Sequence, residues 1–66
     1  MDAAEKGQRY AKVFRRAGNF LSKGNVARAV EILKEGQALA EKSGDIAMAG
    51  RYAAEIERAA KPLAGE

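Results

Sequence analysis

The sequence predicts an all-α fold of three helices within a single domain of 66 residues. Apolar residues recur at spacings of three and four along three long segments, which is the period of a helix and not of a strand. Two Gly-polar pairs, Gly24-Asn25 and Gly44-Asp45, separate these segments, and each pair joins a typical helix end to a typical helix start. Because such short connections make neighbouring helices reverse direction, we expect an antiparallel arrangement.

The first helix is predicted over residues 2–23. Asp2 is a good N-cap, and Glu5 stands three residues later at the position of a capping-box acid. Lys23 and Gly24 supply the cation and the left-handed cap that are typical of a helix end. The apolar residues of this segment share one helical face: Tyr10, Val13, Phe14, Ala17, Phe20 and Leu21.

The second helix is predicted over residues 25–43, with Asn25 as its N-cap and Gly44 after its end. Its apolar stripe is broad and comprises Val26, Ala29, Val30, Ile32, Leu33, Gly36, Leu39 and Ala40. A glycine inside a helix costs up to about 1 kcal/mol relative to alanine. Since Gly36 lies within the apolar stripe, we expect it to permit a close crossing with another helix.

The third helix is predicted over residues 45–63, with Asp45 as its N-cap. Its seam is narrow, heptad-like and mostly alanine: Ile46, Ala49, Ala53, Ile56, Ala60 and Leu63. Pro62 is expected to end the helix or to kink its last turn. Met48 and Tyr52 flank the seam, and we predict both as self-association contacts.

Together these stripes predict one hydrophobic core. Its members are Tyr10, Val13, Phe14, Ala17, Phe20, Leu21, Val30, Leu33, Ala49, Ala53 and Ile56. The core is small because a chain of this length buries only roughly 60% of its unfolded surface.

The order of small and large residues resembles the tetratricopeptide repeat (TPR), a helix A–turn–helix B unit. Val13, Ala17 and Phe20 match the large, small and aromatic positions of helix A. Gly24-Asn25 looks like the turn within the repeat. The small, large and small positions of helix B are matched by Ala29, Leu33 and Gly36. Residues 38–45, ALAEKSGD, are similar to the turn between repeats in the longer TPR subclass.

Two residues depart from the TPR pattern. Arg16 stands where leucine is usual, and Glu57 stands where a following helix B would need a small residue. The resemblance therefore implies a single helix-turn-helix hairpin followed by a capping helix. A weaker resemblance, carried by RYAAEIERAAKPL with its Arg58-Ala59 pair, is to the microtubule-interacting and trafficking (MIT) domain, also a three-helix bundle. Both families imply peptide or helix binding in a groove.

The composition argues against an enzyme. Without any Cys or His, the chain lacks thiolates, the commonest metal ligand and the commonest general base. Glu31 and Glu35 share a helical face, but with Lys34 beside them and no further convergent acid they are interpreted as an exposed polar surface. We therefore predict a non-enzymatic protein without a metal or a cofactor.

The charge is uneven and indicates an acidic partner for the first half of the chain. Residues 1–33 carry seven basic and three acidic groups, whereas residues 34–66 carry five and six. One group of helix 1 residues spans roughly 80° beside the apolar face and is the predicted partner-binding site. Its members are Arg9, Lys12, Arg16, Asn19 and Lys23. The expected partner is a protein or peptide with carboxylates, and the alternative interpretation is a solvated basic surface.

Nucleic-acid binding through basic helix 1 is the alternative function. LAEKSGDIAMAGRY is also superficially similar to a helix-turn-helix. Against that motif, Asp45 occupies a position that is normally apolar, and the would-be recognition helix is near neutral to acidic. Because helix 1 is amphipathic and basic, contact with a membrane surface is a third alternative.

A single repeat leaves exposed the faces that its neighbours cover in an array, so we predict a homo-oligomer, specifically a dimer. No apolar run approaches the ~20 residues that span a bilayer. The polar start MDAAEKGQRY is unlike a secretory signal. These features predict a cytoplasmic protein without a membrane span.

Overall fold

The computed structural model describes the backbone of residues 3–65 and the side chains of residues 7–61. Three helices make up most of this part of the chain: α1 (Ala3–Ser22), α2 (Val26–Lys42) and α3 (Ile46–Gly65). Residues 3–65 contain no strand. The all-α, three-helix class is thus confirmed, and each helix begins and ends within two residues of its predicted bounds.

The two connections share one hydrogen-bonded motif. Gly24 and Gly44 have φ values of 80° and 76°, in the left-handed region that favours glycine. Gly24 N–H donates to the Leu21 carbonyl at 3.0 Å, and Asn25 N–H donates to the Phe20 carbonyl at 2.8 Å. The same two bonds, at the same distances, close α2 around Gly44. Both helix ends are therefore Schellman motifs, as the Gly-polar pairs predict.

The polar residue after each glycine also starts the next helix. Asn25 Oδ1 accepts a hydrogen bond from Arg28 N–H at 3.2 Å, and Asp45 Oδ1 accepts one from Met48 N–H at 3.2 Å. Both predicted N-caps are confirmed. Because one residue closes one helix and opens the next, three residues suffice for each connection. Connections this short are the reason to expect that neighbouring helices run antiparallel. The antiparallel direction stays a prediction.

Some predictions concern the ends of the chain. Asp2 and the side chain of Glu5 lie outside the described part, as do the side chains of Pro62 and Leu63. The backbone of α3 continues to Gly65, so Pro62 does not end this helix.

The core is assembled around α2, which contacts both α1 and α3. The buried hydrophobic residues are Tyr10, Ala17, Ala29, Ile32, Leu33, Ala40, Ala49, Tyr52 and Ala59. Half-buried side chains pack against them: Val13, Phe14, Phe20, Val30, Met48 and Ile56. Five of the nine buried residues are alanines, so a few large side chains account for most of the buried apolar area.

Tyr52 is the central residue of this core. Its ring stacks on Phe14 of α1, with ring centroids 4.6 Å apart, and meets Tyr10 edge-on at 5.9 Å. On α2 it lies against Gly36, where an added Cβ would be 2.6 Å from Tyr52 Cζ. The close crossing predicted at Gly36 is therefore confirmed, and Tyr52 joins all three helices.

The face of α3 that packs inward differs from the predicted seam. Ile46 is 84% exposed, whereas Tyr52 is fully buried. The inward-facing side chains are Ala49, Tyr52, Ile56 and Ala59. The predicted role of Tyr52 as a self-association contact is therefore wrong. The physical reason is size, because turning a tyrosine ring inward buries far more apolar area than turning in an alanine.

Three further residues, two from the predicted core and one beside the predicted α3 seam, are only partly covered. Leu21, in the last turn of α1, is 38% exposed, so its assignment to the core is wrong. Ala53 is half-buried at the side of α3. Met48 is also half-buried and packs against the core, and its predicted role in self-association stays a prediction.

The two tyrosines are held as neutral phenols. Burial raises the pKa of Tyr52 to about 12, and the neighbouring Tyr10 adds to this shift. The pKa of Tyr10 is also raised, first by burial and then by the nearby Asp45 carboxylate. Within the described part of the chain, the buried Tyr52 hydroxyl has no hydrogen-bond partner. Tyr52 thus stabilises the core through the apolar contacts of its ring and not through a hydrogen bond of its hydroxyl.

We expect Gly36→Ala to destabilise the fold by roughly 1–3 kcal/mol, because the new methyl group overlaps the Tyr52 ring. The matched control is Gly18→Ala in α1, where an added Cβ meets no atom within 4 Å. This control should stabilise the fold by up to about 1 kcal/mol through helix propensity. Urea unfolding followed by circular dichroism measures both variants. Equal effects of the two substitutions would contradict the Gly36–Tyr52 packing.

We expect stability to fall as the pH rises from about 10 to about 12. The phenol of Tyr52 ionises near pH 10 when unfolded but only near pH 12 when folded, so its contribution is intact below pH 10 and is lost above it. The loss should reach about 2 kcal/mol. At pH 7, the free energy of unfolding of Tyr52→Phe should equal that of the parent or exceed it by up to about 1 kcal/mol, because the variant lacks the unpaired hydroxyl.

Thermal or urea unfolding at pH 7, 10 and 11.5 tests this prediction, with Tyr52→Phe as the control. The variant should lose less stability than the parent at alkaline pH. An identical decline in the two proteins would show that Tyr52 is not the titrating group.

Candidate interaction surfaces

The residues predicted to bind a partner form one exposed line along α1 and the residue that follows it, Lys23. We call it the basic line, and its members are Arg9, Lys12, Arg16, Asn19 and Lys23. All five are exposed. Their alternating spacings of three and four keep them on one side of the helix over roughly 21 Å. The structure therefore brings together every residue of the predicted site.

The basic line lies in a segment without acidic residues, since no Asp or Glu occurs from position 6 to position 30. The salt bridges among the described side chains are Arg28–Glu31 at 2.8 Å and Arg58–Glu55 at 3.2 Å. Neither pair includes a residue of the basic line. The positive charge along α1 is therefore directed to solvent.

The basic line has an apolar border. Val13 and Phe20 lie next to it on the helical surface and are only half-buried, so part of each side chain stays accessible. The guanidinium of Arg28, on α2, lies 6.0 Å from the centroid of the Phe20 ring. A partner on the basic line would thus meet both charge and apolar area.

A second surface is an apolar groove between α2 and α3. Its volume is about 360 Å³, and its lining residues are Gln37, Glu41, Ile46, Ala49, Gly50 and Ala53. We call it the α2–α3 groove. None of these residues belongs to α1. Ile46 stands at this groove with 84% of its surface exposed, and its neighbours on α3, Ala49, Gly50 and Ala53, are too small to fill the space.

Sequence reasoning missed the α2–α3 groove because it placed Ile46 in the apolar seam predicted for the third helix. Ile46 is the first residue after the N-cap Asp45, so no helical turn precedes it to help bury its side chain. The sequence did contain a signal for the exposure of Ile46. A second possible inward face of α3 contains Tyr52, and it leaves Ile46 exposed.

The acidic pair considered as a candidate site is exposed on α2. Glu31 pairs with Arg28, and Glu35 is exposed one turn later. Across the described residues, no three His, Cys, Asp or Glu side chains are grouped so that they could hold a metal ion. None of the described helices combines the length and apolar character that crossing a membrane requires.

Comparison with known proteins adds no family assignment, because no family model matches the chain and no curated protein or solved structure matches it either. The resemblances to the TPR and to the MIT domain therefore stay predictions from sequence.

Proposed function

We propose that this protein is a non-enzymatic, TPR-like interaction module of the cytoplasm, and that its basic line binds an acidic protein segment. The observation that supports this proposal is the exposed positive charge on one side of α1, in a segment without acidic residues from position 6 to position 30. Arg and Lys form charge-assisted hydrogen bonds with carboxylates, and Arg can do so through two parallel bonds.

The basic line is suited to guiding a partner more than to very tight binding. A single exposed ion pair contributes about 0.2–1 kcal/mol. Several cations in one line nevertheless raise the association rate with an anionic partner. The accessible parts of Val13 and Phe20 supply apolar contact beside the charge. We therefore propose a reversible interaction that weakens as salt is added.

We expect the double variant Lys12→Glu, Arg16→Glu to bind an acidic peptide at least tenfold more weakly than the parent. Two attractive contacts become repulsive, which accounts for about 1.4 kcal/mol or more. The control, Lys34→Glu with Lys61→Glu, makes the same change in net charge at exposed positions outside α1. Fluorescence anisotropy with a labelled glutamate-rich peptide measures both. An equal loss in the control would show that net charge, and not the basic line, determines binding.

Nucleic-acid binding is a second candidate, and the same charge favours it because phosphates require little beyond exposed cations. It is distinguished by competition at one ionic strength. Under our proposal, a short DNA or RNA duplex displaces the acidic peptide only at concentrations above those of the unlabelled peptide. Displacement at lower concentrations would favour the nucleic-acid function.

We further propose that the protein forms a homodimer through the α2–α3 groove. Ile46 protrudes beside a groove lined by Ala49, Gly50 and Ala53. One patch thus provides both a projecting side chain and room for one, as a two-fold interface requires. The alanine-rich core gives a second reason, because a small domain gains stability from further burial. A dimer of this kind leaves the basic line free.

We expect Ile46→Ser to convert this dimer into a monomer. The control is Ala47→Ser, which introduces the same hydroxyl at the neighbouring exposed position. Sedimentation equilibrium over a concentration series gives the mass of each protein. The melting temperature of the parent should rise with concentration and that of Ile46→Ser should not. A parent protein that stays monomeric over a concentration range of about 100-fold would refute the dimer.

A further inference from the structure

We infer that the segment bound by the basic line is an amphipathic acidic helix that lies along α1. This inference rests on the proposed function and specifies the partner. It follows from the period of the exposed residues on α1, from the apolar border of the basic line, and from the absence of any acidic residue between positions 6 and 30.

Two sets of residues on the side of the basic line, one charged and one apolar, recur at intervals of seven positions along α1 and its cap residue Lys23. Arg9, Arg16 and Lys23 are seven apart, as are Val13 and Phe20. A seven-residue repeat of apolar positions flanked by charges is the pattern with which one helix packs along another. The cations of the basic line occupy the flanking positions, where charged residues select the partner in such helix pairs. This side of α1 therefore has the seven-residue repeat that suits packing along a helical partner.

A helical partner keeps its charges in step with the basic line over its full length. Both helices rise about 1.5 Å per residue, so acids spaced three, four and seven residues apart lie opposite Arg9, Lys12 and Arg16 when the axes are nearly aligned. An extended strand places same-side residues about 6.6–6.8 Å apart, which does not match intervals of roughly 4.5 and 6 Å. The charge spacing thus favours a helix over an extended peptide.

The apolar border sets the second property of the partner. Val13 and Phe20 are half-buried and border the basic line along two helical turns. An apolar stripe beside the acidic one would cover them and exclude water from the neighbouring ion pairs, which strengthens those pairs. Nucleic acid offers phosphates but no apolar stripe of this period. We therefore favour an acidic helix over a duplex.

The test uses two synthetic peptides of 21 residues with identical composition and net charge. In the first, Glu recurs at spacings of three and four along one face beside a stripe of Leu. In the second, the same residues are shuffled so that Glu is spread around the helix. Anisotropy measures binding to the full chain, and circular dichroism of each mixture reports peptide helicity.

The patterned peptide should bind at least tenfold more tightly than the shuffled one and should gain helicity on binding. Arg16→Glu should remove this difference, whereas Lys34→Glu should preserve it. Equal binding of the two peptides would overturn the helical partner while leaving an acidic partner in place. Failure of both peptides, or tighter binding of a 20-base-pair DNA duplex, would overturn this inference together with the proposed function.

Discussion

The contact between Tyr52 and Gly36 is the constraint on which the rest of the structure depends. Five of the nine buried hydrophobic residues are alanines, so few side chains are long enough to reach across the core. Tyr52 does so, contacting α2 at Gly36 and α1 at Tyr10 and Phe14. Gly36 makes this possible by presenting bare backbone to the ring. A glycine that weakens the helix locally thus permits the packing of all three helices.

The packing of the core also determines where the two surfaces proposed for binding lie. With Tyr52 turned inward, Ile46 and Gly50 on α3 face outward and border the α2–α3 groove. On α1, the inward position of Tyr10 and Ala17 leaves the basic line on the exposed side of the helix. Core and surface are therefore not independent, because a rotation of either helix would remove its binding face.

Placing the two surfaces on different helices has a functional consequence. No residue of α1 lines the α2–α3 groove, so association through the groove does not require the basic line. The proposed dimer would carry two basic lines. A partner with two acidic helices could then bind both, and its apparent affinity would exceed that of one line through effective concentration. As a dimer, even so small a protein could bind a partner through two sites at once.

The sequence by itself determined the local features of this protein. The bounds of the three helices, the left-handed glycines and the caps Asn25 and Asp45 all follow from residues within one or two turns of each other. The alignment of the basic line is local too, because spacings of three and four place its members on one side of α1. Its exposure follows from the inward packing of Tyr10 and Ala17. Most residues of the first two apolar stripes are likewise buried or half-buried as predicted.

Only the tertiary structure decided how α3 is rotated about its own axis. Two neighbouring inward faces were available to this helix, one beginning with Ile46 and one centred on Tyr52. Their choice depends on the volume that α1 and α2 leave free, and above all on the space at Gly36, 16 positions earlier in the chain. Helical period alone does not contain that information, because it describes one helix at a time and packing is a property of three.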